Sequence, residues 1–229
     1  MSHFFPSRLL LTFALLLLAS MSPAIAKQDG KAQLRIICVS SLAENQEVVI
    51  ASLDAEGKWS EHGTLTLRPS LVSDWMPSQA GELHLALREN NTLKSLCHFS
   101  LPADAGRVLV ALVADTEKNT YEAQVANPVK SEFLKGSVLI FNFSTHTATI
   151  LLGTKEEKVE AGQRSVAKPV MDDSRMYQTV VSYLDVEKKA VSCYDRYVSS
   201  NPNARNMLFL VPDKTLGIRV SSLPLFGEY

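Results

Sequence analysis

Glu82-Leu83-His84-Leu85-Ala86-Leu87-Arg88 decides the fold, because its leucines fall on every second residue. Period-two alternation puts Leu83, Leu85 and Leu87 on one face of a pleated strand and the other side chains on the opposite face. A helix would need apolar residues at three- and four-residue spacing. Upstream, Thr64-Leu65-Thr66-Leu67-Arg68 repeats the alternation. Further out, short apolar blocks at 34–39, 46–53 and 107–114 read as strands, the last as a central one with both faces covered. The later half supplies 137–143, 147–152, 177–184, 207–211 and 217–220. Turn formers punctuate the runs every 8 to 15 residues: 54–57, Glu89-Asn90-Asn91, 102–106, Ala161-Gly162, Asn201-Pro202-Asn203 and Pro212-Asp213. The only places that read as a single helical turn are 71–77 and 169–176.

The two halves share a pattern. Leu83 to Cys97 overlays Thr179 to Cys193 without a gap, so that each window reads as a hairpin followed by a cysteine. After it come a polar loop, an arginine (Arg107, Arg205) and an apolar strand ending in Asp115 or Asp213. Ile36 to Ser40 overlays Ile140 to Ser144 in the same way. The expected fold is therefore all-β, two tandem immunoglobulin-like antiparallel β-sandwich domains, one over 27–130 and the other over 131–229. Asn127-Pro128 suits the connector. The first unit is longer chiefly between Leu53 and Gly81, a stretch that holds both tryptophans.

Residues 1–26 read as a cleaved signal peptide. Arg8 supplies the positive n-region, Leu9 to Ala19 the apolar h-region, and Ala24-Ile25-Ala26 the small-residue cleavage site. The apolar run is short for a membrane span, and no apolar stretch of spanning length follows it, so the mature chain is expected to have no transmembrane segment and to be periplasmic or secreted. The 23 basic and 24 acidic residues give a net charge of −1 without a basic cluster. That balance argues against nucleic acid or an anionic membrane face as partner.

Cys38, Cys97 and Cys193 belong to the mature part, where an oxidising compartment permits one bridge. A Cys38–Cys97 disulfide would close a loop of about 60 residues and contribute on the order of 4 kcal/mol. The alternative is three small buried thiols. Metal ligation by His62, His84, His98 and Cys97 is disfavoured, since Cys97 and His98 are neighbours on one strand and face opposite ways. No nucleophile elbow is present, and the carboxylate pairs Asp172-Asp173 and Glu156-Glu157 sit among polar residues. No catalytic residue, metal or cofactor is assigned. The candidate ligand-binding side chains are the aromatic ones, Trp59 and Trp75 in the extra loop length and Tyr194 and Tyr197 before the second-half loop. Aromatic rings there could stack on a sugar or anchor a partner. The final block, 217–225, is read as a strand docked on its own sheet, with pairing to a partner strand as the alternative.

Val138 to Ser144, Ala148 to Gly153, the Gly162 turn and the Tyr194–Arg205 loop before Met207 to Val211 resemble exported β-sandwich proteins of Gram-negative bacteria with no assigned activity. That resemblance implies a fold and an address but no catalytic residues. In outline, two consecutive sandwiches are also similar to periplasmic pilus-assembly chaperones, whose peptide-binding motifs the chain lacks. The functional expectation is a non-catalytic protein with an interaction or structural role in the cell envelope, its partner an envelope protein or glycan. The alternatives are a glycan- or peptide-binding module and a pilus-chaperone-like assembly factor, ahead of an enzyme.

Overall fold

The computed structural model describes residues 32–128 and 133–226, which form seventeen strands and no helix. The signal peptide expected over 1–26 and the boundary expected at 130/131 lie outside the described residues. The first half contains β1 (Ala32–Cys38), β2 (Gln46–Leu53), β3 (Trp59–Leu67), β4 (Leu71–Val72), β5 (Met76–Ser78), β6 (Gly81–Glu89), β7 (Thr92–Leu101), β8 (Arg107–Asp115) and β9 (Thr120–Ala126). They make two sheets, β3-β2-β6-β7 and β4-β1-β8-β9, with β5 also on β1. The second half contains β10 (Val138–Asn142), β11 (Ala148–Leu152), β12 (Lys155–Val159), β13 (Arg164–Ala167), β14 (Met176–Leu184), β15 (Ala190–Ser199), β16 (Arg205–Asp213) and β17 (Gly217–Leu225). These form β12-β11-β14-β15 and β13-β10-β16-β17, the same orders again.

Two features depart from a wholly antiparallel immunoglobulin pattern. β1 runs parallel to β8 and β10 parallel to β16, because the chain leaves each first strand, traverses the opposite sheet and returns beside it in the same direction. In constant-type immunoglobulin sandwiches the third strand lies in the sheet opposite the second; here β3 pairs with β2. The stretch 71–77 holds no helical turn. Its ends are β4 and β5, held antiparallel on β1, and 169–175 is loop before β14 begins at Met176.

The overlay of the halves is visible in the registers, with one slip. A bulge interrupts β6 and β7 between Leu85 and Ala86, and a second interrupts β14 and β15 between Val181 and Ser182. At the bulges, Leu85 pairs with Cys97 and Val181 with Tyr194. Cys97 therefore corresponds to Tyr194, and Cys193 corresponds to Leu96. Each half has the same bulge, so the slip comes from the hairpin turns: Glu89 pairs with Thr92 in the first half and Leu184 with Ala190 in the second, and the longer second turn shifts β15 by one residue in a contiguous alignment.

Alternating strand faces build three apolar layers. Leu34, Ile36, Val108 and Val110 of one sheet meet Val48, Ile50, Leu83 and Leu85 of the other in the first-half core. Val138, Ile140, Leu208 and Leu210 meet Ile150, Leu152, Tyr177 and Val181 in the second-half core. The residues between them face the other way: Ile37, Leu109, Ala111 and Val113 pack on Leu139, Phe141, Met207 and Phe209. β8, β10 and β16 are therefore apolar on both faces over most of their length, as continuous hydrophobic runs require, whereas β1 carries Gln33 and Arg35 beside Ile37 on its second face. The Phe141 and Phe209 rings stack in this middle layer, 5.4 Å apart and 8° from parallel.

Gly153 turns the chain between β11 and β12 at φ +68°, and a Cβ there would lie 1.8 Å from the Val170 carbonyl oxygen. Gly153→Ala is expected to cost about 2 kcal/mol or more, from left-handed backbone and backbone collision together, and a chemical denaturation curve measures it. Asp115, Asp172 and Asp213 each accept backbone N–H groups at turns (Glu117 and Lys118; Ser174 and Met176; Thr215 and Leu216). The Lys118 hydrogen bond lowers the Asp115 pKa, the Ser174 hydroxyl that of Asp172, and the Leu216 N–H that of Asp213, all from 3.8. Stability from these depressed carboxylates is present above 3.8 and lost as pH falls through the folded values.

Candidate functional site

The structure separates the aromatic residues singled out from the sequence. Trp59 meets the edge of the His84 ring at 5.1 Å. His84 alternates with Leu83 and Leu85, so this contact lies on the sheet face turned away from the first-half core. Trp75 lies on the opposite sheet, against the middle layer, with the Arg35 guanidinium 4.6 Å and the Arg107 guanidinium 5.4 Å from its ring. The two tryptophans thus sit on opposite sides of the first-half sandwich and share no site; Trp75 is packed by cations into the molecule. Tyr194 faces the second-half core, whereas Tyr197 is 66% exposed on the outer face of β15.

All three cysteines are free thiols, so the Cys38–Cys97 bridge is not formed. Both side chains enter the first-half core, Cys38 from β1 and Cys97 from β7, and Cys38 Sγ donates to its own strand end at Ser40 O (3.4 Å). Burial pushes both thiols up to about 12 from 9.0, which keeps them protonated and unreactive. Because the folded pKa is raised, this contribution to stability is complete below pH 9 and is lost as pH rises toward 12. A maleimide reagent at pH 7.5 is expected to leave Cys38 and Cys97 unmodified in the folded protein and to label all three cysteines after denaturation, read by intact mass.

Of the four aromatic candidates, Tyr194 lines a cavity. It belongs to a cleft of about 260 Å³ that opens on the flank of the second-half sandwich beside the edge strands β15 and β17. Val138, Leu152, Leu208 and Met207 supply apolar walls, and Pro224 and Phe226 stand on the β17 side. Thr179, Asn206 and Ser222 add polar groups. Tyr177 also lines the cleft; burial raises its pKa, opposed by a hydrogen bond with Asn206. Mostly apolar walls with a few placed polar groups are the make-up of a small-molecule site.

Thr179, Asn206 and Ser222 were not singled out from the sequence. Their signal was present, since each is a polar residue within or beside an apolar run. Thr179 even stood opposite Leu83 in the overlay of the halves. What the sequence did not show is that three strands from two sheets bring them to one place. A wider cleft of about 460 Å³ lies where the β8–β9 and β16–β17 turns meet, lined by Asp115, Glu117, Glu122, His146, Asp213 and Lys214 among others. Its charges are engaged in structure: Asp115 and Asp213 hold their turns, and Lys214 pairs with Glu117 at 2.7 Å.

Among the described residues no group of three or more His, Cys, Asp or Glu side chains is placed to hold a metal ion, and no helix is long and apolar enough to cross a membrane. Compared with known proteins, the chain matches no family model and no curated protein sequence.

Proposed function

We propose that this is an exported, non-catalytic protein that acts by binding in the cell envelope or outside it, and that the second-half cleft is its binding site. The observation that carries the reading is the cleft itself: apolar walls, a tyrosine from a bulged strand and isolated polar groups, open to solvent at a sheet flank. Two tandem sandwiches over 27–130 and 131–229, following a signal peptide over 1–26, complete the reading. Their support is the repeated strand order and the repeated bulge. They are immunoglobulin-like in size and two-layer build, with a strand order of their own.

Export is expected to yield a mature chain beginning at Lys27, checked by intact mass of the protein recovered from the periplasm or medium. For binding, isotope-labelled mature protein titrated with low-molecular-mass envelope extract is expected to show amide shifts confined to the surroundings of Thr179, Tyr194, Asn206 and Ser222. Shifts centred on Trp59 or Trp75, or turnover in a broad hydrolase screen, would contradict the reading.

A further inference from the structure

The first half of the chain is a built-in comparison for the cleft. Counting back from the bulges, Leu83 corresponds to Thr179, and their cross-strand partners Phe99 and Arg196 correspond to each other. In the other sheet, Ile36 pairs with Val110 as Ile140 pairs with Leu208, so Val108 corresponds to Asn206. Val125, the partner of Val110, corresponds to Ser222, the partner of Leu208. In the first half these positions hold Leu83, Phe99, Val108 and Val125, all packed into one core. The second half places Thr179, Arg196, Asn206 and Ser222 there instead, and three of the four line the cleft. A core that has only to be stable fills this space with hydrocarbon, because unpaired polar groups in it are costly.

Two of the replacements define the chemistry. Thr179 is 2% exposed and lines the cleft, so it sets a polar group in an otherwise apolar wall where an occupant can meet it. Arg196 stands directly across from Thr179, which puts both side chains on the same face of the sheet. It is solvent-exposed and forms no ion pair among the described residues. The geometry points to a small amphipathic organic acid as the ligand class. Its apolar body lies between Val138, Leu152 and Leu208, a polar group meets Thr179, and its carboxylate faces Arg196 at the mouth. This rests on the cleft being the binding site and adds the charge and shape of the occupant.

Octanoate and octanol serve as probes, with binding to the full mature protein followed by calorimetry and amide shifts at pH 7.5. Octanoate is expected to bind about tenfold more tightly than octanol, and Arg196→Gln to remove that difference while leaving octanol binding unchanged. The double variant Thr179→Leu, Ser222→Leu fills the cleft with hydrocarbon and is expected to abolish binding of both probes; Thr179→Val is the milder substitute if the double variant does not fold. Equal binding of the two probes by the wild-type protein would overturn the organic acid while leaving the cleft as an apolar site. Dissociation constants above about 1 mM for both, or shifts mapping elsewhere, would overturn the cleft and the ligand together.

Discussion

Phe209→Ala is expected to lower stability by about 3–5 kcal/mol and to split a single unfolding transition into two. Phe209 is 2% exposed and stacks on Phe141, which is fully buried, in the layer joining one sheet of each half. Truncating it removes a large apolar side chain and leaves a void that β-sheet backbones on both sides cannot close, and interiors packed at crystal density do not flow to fill it. The loss falls on the contact between the halves, while the first-half and second-half cores keep their own residues. Urea unfolding followed at two probes reads both effects. Amide signals of β6 report the first half, and amide signals of β14 report the second. Coincident transitions with a loss under about 1 kcal/mol would show that the middle layer contributes little.

Asn142→Ala carries the second large effect. Asn142 is fully buried at the end of β10 and uses its whole side chain. Nδ2 donates to His146 O at 2.8 Å, to Val159 O at 3.0 Å and to Glu160 O at 3.2 Å. Oδ1 accepts from Ser144 N at 3.0 Å and Ser144 Oγ at 2.7 Å. One amide thus ties β10, the 144–146 turn and the end of β12 together. Alanine would strand several of these groups in the interior, at a cost of about 3 kcal/mol. Asn142→Asp, of the same shape, is expected to cost at least as much, because a carboxylate would replace the donors that face three carbonyl oxygens. Denaturation midpoints of both variants check this, and an aspartate variant as stable as wild type would refute the assignment. The first half places Cys38 at the corresponding position.

Strands with clean alternation or continuous apolar runs were legible from the sequence, among them β2, β6, β8, β11, β14 and β16. Those that were not have identifiable physical reasons. β12, Lys-Glu-Glu-Lys-Val, is an edge strand with most of its side chains in water, so only Val159 reports a core. β7 hides its period because the bulge puts Leu96 and Cys97 on the same core, after which Phe99 and Leu101 resume the alternation one residue out of phase. β4 and β5 are two and three residues long and exist only because β1 offers them backbone partners. The terminal strand β17 was read as docked on its own sheet. It pairs along its length with β16 at the sheet edge, and it contains Pro224, a residue that sheets confine to edge strands.

The site was legible only in part. Tyr194, which lines the proposed cleft, was singled out because aromatic residues near a loop attract notice, and the same reasoning chose Trp59, Trp75 and Tyr197, which lie elsewhere in the structure. Composition cannot tell a tryptophan packed against two arginines from one waiting for a ligand. The decisive residues, Thr179, Asn206, Ser222 and Arg196, are ordinary polar residues, and their meaning comes from register: each occupies a place that the other half of the chain fills with hydrocarbon.

A crystal structure of the mature protein grown with 8-bromooctanoate tests the central claim most directly, because bromine is located by its own anomalous signal. One bromine position is expected between the two sheets of the second half, beside Leu152 and Leu208, with the carboxylate oxygens at Arg196. A cleft filled by the protein's own side chains, or bromine bound only elsewhere, would contradict it.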